Sequence, residues 1–144
     1  MTVHTHDVPT WEVLRLVEPA RIGRMCIVDH GTPIALPVNF QLLTRDQRHQ
    51  VVVRTGPNSL IGRYTGPASL EVDEIDIDHL SAWSVILRGT VAPVGNDRTL
   101  PDPEPWLEGR DRWMVMQVDA MSGRRFSGVV GSDGYSVEWQ IADC

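Results

Sequence analysis

The chain is 144 residues long, with 42% hydrophobic and 22% charged residues, a composition typical of one globular domain with a single core. The formal net charge of −6 argues against a surface for nucleic acid or anionic membranes, because either partner requires a basic stripe. All 13 basic residues are arginine, so any bound anion must be held by guanidinium groups, backbone N–H groups or hydroxyls.

The termini and the two cysteines give no sign of export or of a cross-linked fold. The first ten residues lack the charged and apolar regions of a signal peptide, and no apolar run is long enough to cross a bilayer. We therefore expect a cytoplasmic protein. Cys26 and Cys144 lack the number and spacing of a disulfide framework or a zinc site.

The residue pattern predicts a mainly β fold. Residues 1–8 are expected to be disordered, and a short helix is predicted at residues 9–17, where Trp11, Leu14 and Val17 follow helical spacing. Runs rich in apolar and β-branched residues then predict six strands, at residues 21–29, 34–43, 50–55, 69–76, 83–94 and 113–121.

The segments between and after these strands contain turn residues and prolines. A short helix is predicted from Asn58 or Ser59, and a proline-rich excursion occupies residues 97–111. Residues 128–144 are expected to form a C-terminal extension, with a candidate seventh strand at residues 135–141. Since no internal repeat or linker divides the chain, this spacing of strands predicts one small antiparallel barrel.

Two residues of the strand at 34–43 do not suit the interior of a sheet. Pro37 cannot donate to a sheet ladder, and Asn39 is of a type depleted from strands. Alternation places these two on one face and an apolar set on the core face, namely Ile34, Leu36, Val38, Phe40 and Leu42. The face with Pro37 and Asn39 is too polar for a core and too restrained for open solvent, so we predict that it forms the wall of a site.

The stretch from Arg54 to Ser59 has the residue types of a phosphate cradle. An arginine and a hydroxyl at a strand end, a tight turn and a helix start can together hold an anion. The alternative is an ordinary strand–turn–helix junction in which Asn58 or Ser59 only caps the helix. The pattern leaves both interpretations open.

The remaining candidate sites carry weaker signals. The acidic run at residues 71–79 lacks the glycine and the downstream glutamate of a calcium loop, so a solvated loop without metal is expected. The five histidines are scattered, and no nucleophile–base pair, G-x-S-x-G elbow or Walker loop is present. Trp83 is interpreted as a core residue more readily than a ligand contact, and residues 123–125 are typical of a solvated basic turn.

Several motifs, taken in order, resemble those of the pyridoxamine 5′-phosphate oxidase-like, FMN-binding split-barrel flavoproteins, especially their short actinobacterial members. The matching segments are ARIGRM at 20–25, LPVNF at 36–40, VVRTG at 52–56, LEVDEID at 70–76, AWSVILRG at 82–89 and GRRF at 123–126. Each motif is short, and it is their common order and spacing that is specific. Together with the helix before them they extend over residues 10–126.

The resemblance implies a fold, an assembly and a cofactor. The fold is a six-stranded antiparallel split β-barrel of Greek-key topology with a few short helices, and a homodimer holds two flavin clefts at the subunit interface. FMN is the implied cofactor, with LPVNF beside the isoalloxazine ring. The implied binding residues are Pro37, Val38, Asn39, Phe40, Arg54, Thr55, Asn58, Ser59, Leu60, Arg63, Trp83, Ser84, Val85 and Arg124.

The chain departs from the family pattern at two positions. Relatives often carry a lysine near position 59 that supports the phosphate, whereas this chain has Ser59, so Arg54 or Arg63 has to compensate. Relatives also tend to have glycine before the Trp-Ser-Val motif, where this chain has Ala82. The family's residues for pyridoxamine phosphate are not recognisable, so vitamin B6 oxidation is not carried over.

Three functions are compatible with the resemblance. The first is a dimeric FMN-dependent oxidoreductase that acts on an unknown small molecule, with no protein acid or base that can be named. The second is a non-catalytic flavin- or haem-binding module. The third is a reductase that uses a deazaflavin with a polyglutamate tail, which the net charge of −6 disfavours because such a tail needs a basic groove.

Overall fold

The computed structural model describes residues 2–95 and 99–129. This part of the chain contains β1 (Thr2–Asp7), α1 (Thr10–Val17), β2 (Ile22–Asp29), β3 (Thr32–Arg45), β4 (Arg48–Thr55), β5 (Gly66–Asp76), β6 (Ser81–Val94) and β7 (Arg112–Val129). A 3₁₀ turn at Ile61–Arg63 lies between β4 and β5. All strand pairs are antiparallel, and the predicted mainly β fold is confirmed.

Tight turns join β2 to β3 and β3 to β4. His30 and Gly31 have φ angles of 48° and 78°, and Asp46 and Gln47 have φ angles of 51° and 62°. Two successive positive φ angles are typical of a type I′ turn, whose twist matches that of the strands it joins. These turns therefore set the register of both hairpins.

Six strands close into a barrel. Their order is β7-β4-β3-β2-β5-β6, and β6 pairs again with β7. The long β7 makes this closure because its first part pairs with β4 and β6, while its second part pairs with β6 and β1. The predicted six-stranded barrel is confirmed, and β1 adds a seventh strand outside the closed ring.

The sheet opens where β3 changes partner. Residues 32–39 pair with β2, whereas the pairing of β3 with β4 begins only at Phe40 and Val53. Pro33 and Pro37 lie in the part of β3 that has no partner on the β4 side among the described strands. Proline suits such an edge because it has no N–H to leave unpaired.

The barrel interior holds the face of β3 that alternation assigned to the core. Val38 and Phe40 are buried, and Ile34, Leu36 and Leu42 are partly buried against the same cluster. The largest fully buried side chains are Phe40, Met25, Leu70, Leu87, Met114 and Met116. This continuous apolar core holds β3 and β4 in place on either side of the opening.

The helix α1 packs on the last strand. Val13 and Val17 are its buried residues. A Cβ at Gly123 of β7 would lie only 3.0 Å from Cγ2 of Val13, so glycine at this position allows a close approach of helix and strand.

Residues 2–7 and 123–125 form strands where the sequence predicts disorder and a turn. Residues 123–125, expected to form a solvated turn, are part of β7, and Arg124 and Arg125 are half-buried. Arg125 Nη2 lies 2.8 Å from a Glu12 carboxylate oxygen, and pairing with β1 and β6 keeps this segment extended. Residues 2–7, expected to be disordered, form β1 because this end of β7 offers them a partner strand.

A bulge in β6 depends on one glycine. The register between β6 and β7 shifts between Arg88 and Gly89. A Cβ at Gly89 would overlap the carbonyl oxygen of Gln117, so the two strands approach each other this closely only with glycine.

Some sequence-based expectations fall outside the described residues. These are the candidate strand at 135–141 and all of the C-terminal extension beyond residue 129. Within residues 2–95 and 99–129, no helix is long and apolar enough to cross a membrane.

Candidate functional site

A cleft of about 330 Å³ lies where β3 and β4 separate. Residues 99–111, called the roof loop below, connect β6 to β7 and cover this cleft. The lining consists of Leu36, Pro37, Val38 and Asn39 from β3, Arg54, Thr55, Ser59 and Ile61 from the end of β4 and the turn after it, and Pro105, Leu107 and Arg110 from the roof loop. The structure thus brings together six of the predicted binding residues, namely Pro37, Val38, Asn39, Arg54, Thr55 and Ser59.

Asn39 has a buried and unpaired amide nitrogen. Its Oδ1 accepts a hydrogen bond from the backbone N–H of Trp106 at 3.2 Å. Because a backbone N–H can only donate, this bond identifies Oδ1 as the acceptor and Nδ2 as the remaining donor. Nδ2 is buried and has no hydrogen-bond partner among the described residues. A buried donor without a partner costs about 1–3 kcal/mol, so this group is a candidate ligand contact.

Two hydroxyl groups meet at the end of β4. Thr55 Oγ1 and Ser59 Oγ lie 2.8 Å apart, and Ser59 Oγ donates to the carbonyl oxygen of Gly56 at 2.7 Å. Ser59 Oγ also accepts from the N–H of Gly62 at 3.0 Å. Since each hydroxyl carries one proton, Ser59 gives its proton to Gly56 and Thr55 gives its proton to Ser59. Neither hydroxyl has a proton left for a ligand in this arrangement.

The turn after β4 is not the predicted start of a helix. The expectation of a helix from Asn58 or Ser59 is wrong, because only a 3₁₀ turn forms, at Ile61–Arg63. The local reason is Ser59, whose hydroxyl closes the turn through Gly56 and Gly62. So short a turn has too few aligned peptide dipoles to attract an anion, and the helix contribution to the predicted phosphate cradle is lost.

Arg54 is held by the roof loop. Its Nη1 donates to both carboxylate oxygens of Asp102 at 3.1 Å, and its Nε donates to the carbonyl oxygen of Arg110 at 3.0 Å. Its guanidinium carbon lies 5.1 Å from the ring centroid of Trp113. The backbone N–H of Glu104 and then the Arg54 guanidinium hold the pKa of Asp102 below its ordinary value, so this carboxylate is charged at neutral pH. The charge of Arg54 is therefore largely neutralised within the chain.

Arg110 is a site residue that the sequence interpretation missed. Its Nη1 lies 3.0 Å from the position that a Cβ at Gly56 would take, so the guanidinium covers the turn after β4. In the described part of the chain no carboxylate forms an ion pair with Arg110. The available signal was the length of the loop at residues 97–111, since loops this long in a compact domain are usually either functional or linker segments.

Five other predicted binding residues do not present a side chain to this cleft. Asn58, Leu60 and Arg63 are exposed around the turn after β4 and do not line it. Phe40 and Val85 are fully buried in the barrel core, where their side chains support the sheet. Their roles as ligand contacts stay predictions.

The last three predicted residues lie near a second cleft, of about 320 Å³, formed by β5, β6 and β7. Trp83 lines this cleft, and across the β6–β7 ladder it pairs with Arg125 while Ser84 pairs with Arg124. Arg125 Nε is buried without a partner among the described residues. Within one chain, the structure does not bring Trp83, Ser84 and Arg124 to the cleft between β3 and β4.

The acidic run at residues 71–79, expected to form a solvated loop, lies in β5 as far as Asp76 and in a turn after it. Three of its five acidic residues have basic partners. Arg24 Nη1 lies 2.9 Å from Glu71 and 3.1 Å from Asp73, and Asp76 lies 2.8 Å from Nδ1 of His79. Burial and then the neighbouring Asp73 raise the pKa of Glu71 against the opposing effect of Arg24. Among residues 2–95 and 99–129, no group of three or more His, Cys, Asp and Glu side chains could hold a metal ion.

The sequence profile of the family described as pyridoxamine 5′-phosphate oxidase matches residues 10–125 of the chain. No curated protein matches the chain. The matched range includes β2 to β6 completely and ends within β7.

Solved structures share the fold. The FAD binding protein from Mycobacterium smegmatis aligns with a TM-score of 0.66 and 22% identity over 85% of this chain and 98% of its own. A conserved protein of unknown function from Corynebacterium diphtheriae aligns with a TM-score of 0.70 and 24% identity, over the same shares of 85% and 98%. The FAD and heme binding protein from Mycobacterium smegmatis gives 0.63 and 16%, over 89% of this chain and 76% of its own.

Proposed function

The chain belongs to the pyridoxamine 5′-phosphate oxidase family, and we propose that it is an FMN-binding protein that acts as an oxidoreductase on a small molecule, with the flavin in the cleft between β3 and β4. The observation that carries this proposal is the unpaired Nδ2 of Asn39, a buried donor that lines the cleft. A flavin ring has hydrogen-bond acceptors along its polar edge, and such a group gives this donor the partner that the chain does not supply.

The surroundings of Asn39 suit the rest of a flavin nucleotide. Leu36, Pro37 and Val38 give one apolar wall, and the roof loop adds Pro105 and Leu107. The guanidinium of Arg110, which lies over the turn after β4, can bind the anionic end of the ligand. When bound, the flavin supplies the electron transfer, while the protein orients the ring and tunes it through hydrogen bonds.

The composition of the cleft favours a flavin over a haem. A haem iron takes an axial ligand such as His, Cys, Met or Tyr. None of these residue types is present among the described residues that line the cleft. Because a protein of the same fold is described as binding both FAD and heme, the experiment below also looks for haem. The side chains that line this cleft favour the flavin.

We further propose that the protein is a homodimer. The volume of the cleft between β3 and β4 is at the lower end of the range for small-molecule sites. The second cleft, which Trp83 lines, lies apart from it within one chain. A second copy that places Trp83 and the β6–β7 surface around it against the cleft would complete the enclosure of the ring. Light scattering of the cofactor-bound protein should give the mass of a dimer, and a monomer mass would contradict this assembly.

The nature of the cofactor is tested by the visible spectrum and the mass of the small molecule that co-purifies. We expect a flavin spectrum and the mass of FMN. A Soret band would identify a haem protein instead, and the mass of a deazaflavin would support a deazaflavin-dependent reductase. Turnover with reduced nicotinamides and a panel of acceptors then tests the enzyme, since bound FMN without any turnover would leave only a binding module.

A further inference from the structure

We infer that Arg110 is the cation that binds the phosphate group of the flavin nucleotide, and that the Arg54–Asp102 ion pair positions it. The inference rests on the proposed flavin site and adds a division of roles between two arginines that line the same cleft. The sequence favours Arg54 for the phosphate, because this residue lies near the end of the strand at 50–55, just before the turn.

The contacts of Arg54 are those of a structural anchor. Two of its nitrogens already donate to the roof loop, Nη1 to Asp102 and Nε to the carbonyl oxygen of Arg110. The carboxylate of Asp102 offsets the guanidinium charge at 3.1 Å, so a phosphate that approaches Arg54 also meets a negative group. The pair is therefore a poor anion site, but it holds the backbone of residue 110 in place.

The position of Arg110 is that of a ligand contact. Its guanidinium covers Gly56, with Nη1 3.0 Å from where a Cβ would be, and it has no carboxylate partner among the described residues. Thr55 and Ser59 line the same cleft, and their hydroxyl protons are already used within the turn. Arg110 is thus the group at this end of the cleft that offers both free donors and an uncompensated positive charge.

The residue types at positions 56 and 59 fit this arrangement. The chain has no lysine at all, and position 59 holds a serine that closes the turn. A Cβ at position 56 would lie 3.0 Å from Nη1 of Arg110, a tight contact that would move the end of this side chain, and glycine avoids it.

The test compares FMN with riboflavin, which lacks the phosphate, by fluorescence titration of the full-length protein. Arg110→Gln should weaken FMN binding by about tenfold to a hundredfold and change riboflavin binding by less than about threefold. Arg110→Lys should retain most of the FMN affinity, because it keeps the charge. Arg48→Gln is the matched control: it removes the same charge from the exposed start of β4, about 20 Å away along the strand, and should change neither affinity.

The roles of Arg54 and Arg110 are separated by lysine at each position. A lysine at position 54 keeps the charge but cannot bridge Asp102 and the carbonyl oxygen of residue 110, so Arg54→Lys should lose FMN affinity as Arg54→Gln does. Rescue by lysine at 54 but not at 110 would overturn the assignment, as would an Arg110→Gln variant that binds FMN like the wild type or loses both ligands equally. A wild-type protein that binds neither flavin would instead refute the proposed function itself.

Discussion

Replacing Asn39 by leucine tests the cleft through the stability of the empty protein. The buried, unpaired Nδ2 costs about 1–3 kcal/mol, whereas the hydrogen bond from the Trp106 N–H to Oδ1 contributes about 0.5–1.5 kcal/mol. Removing both groups should therefore make the empty protein about 1 kcal/mol more stable. For a domain of this size, that difference raises Tm by about 3 °C.

The same substitution should harm the ligand complex. Asn39→Leu removes one donor to the flavin ring, and a loss of about 1.4 kcal/mol weakens FMN binding about tenfold. Asn39→Asp is the matched control, since it keeps an acceptor for the Trp106 N–H but offers the ring a second acceptor in place of the donor. It should lose FMN affinity without the gain in stability.

Thermal melts with and without FMN, together with fluorescence titration, measure both effects. The opposite signs for empty and loaded protein are the signature of a residue kept for a ligand. A fall of several degrees in Tm for the empty Asn39→Leu protein would show that Asn39 serves the fold. An FMN affinity equal to that of the wild type would remove Asn39 from the site.

The other predictions concern packing, pH and metal. Gly89→Ala should lower the free energy of unfolding by about 3 kcal/mol or more in urea melts, because the new methyl group overlaps the carbonyl oxygen of Gln117. Gly95→Ala is the control, since its methyl group has open space and should leave the free energy of unfolding nearly unchanged. Asp102→Asn should destabilise the protein at pH 7 by about 1 kcal/mol or less, since the pair is partly exposed. Folding lowers the pKa of Asp102. The contribution of its charge to stability is therefore present above the unfolded pKa of about 4 and is lost as the pH falls through the folded pKa. The Tm values of variant and wild type should converge below about pH 4. A chelator should leave Tm and cofactor content unchanged, because Glu71, Asp73 and Asp76 have basic partners, and a clear loss of either would reveal a metal site.

The sequence allowed the strands to be predicted where alternation and turn residues agree. In β3, the alternating pattern separated the core side chains Val38 and Phe40 from Pro37 and Asn39. The structure buries the first two and places the second two on the wall of the cleft, which Val38 also lines. Local chemistry was sufficient there because the same residues determine both the strand and its two faces. The proline at position 37 also marked the edge at which the sheet opens.

Features that depend on distant partners could not be predicted from local patterns. Residues 123–125 resemble a turn, and only pairing with β1 and β6 makes them part of a strand. The roof loop is a proline-rich segment whose place over β3 and β4 is determined by Asp102 and Trp106, each of which bonds to a residue more than 45 positions earlier in the chain. Arg110 was missed for this reason.

Hydrogen exchange of the wild-type protein with and without saturating FMN most directly tests whether the flavin lies between β3 and β4. We expect slower exchange in three segments upon binding, namely residues 36–39 of β3, residues 55–62 after β4 and the roof loop at residues 99–111. The far ends of β3 and β4, at the turn through Asp46 and Gln47, provide an internal control and should not change. Exchange rates that stay the same in all three segments while FMN is bound would contradict this location of the cofactor.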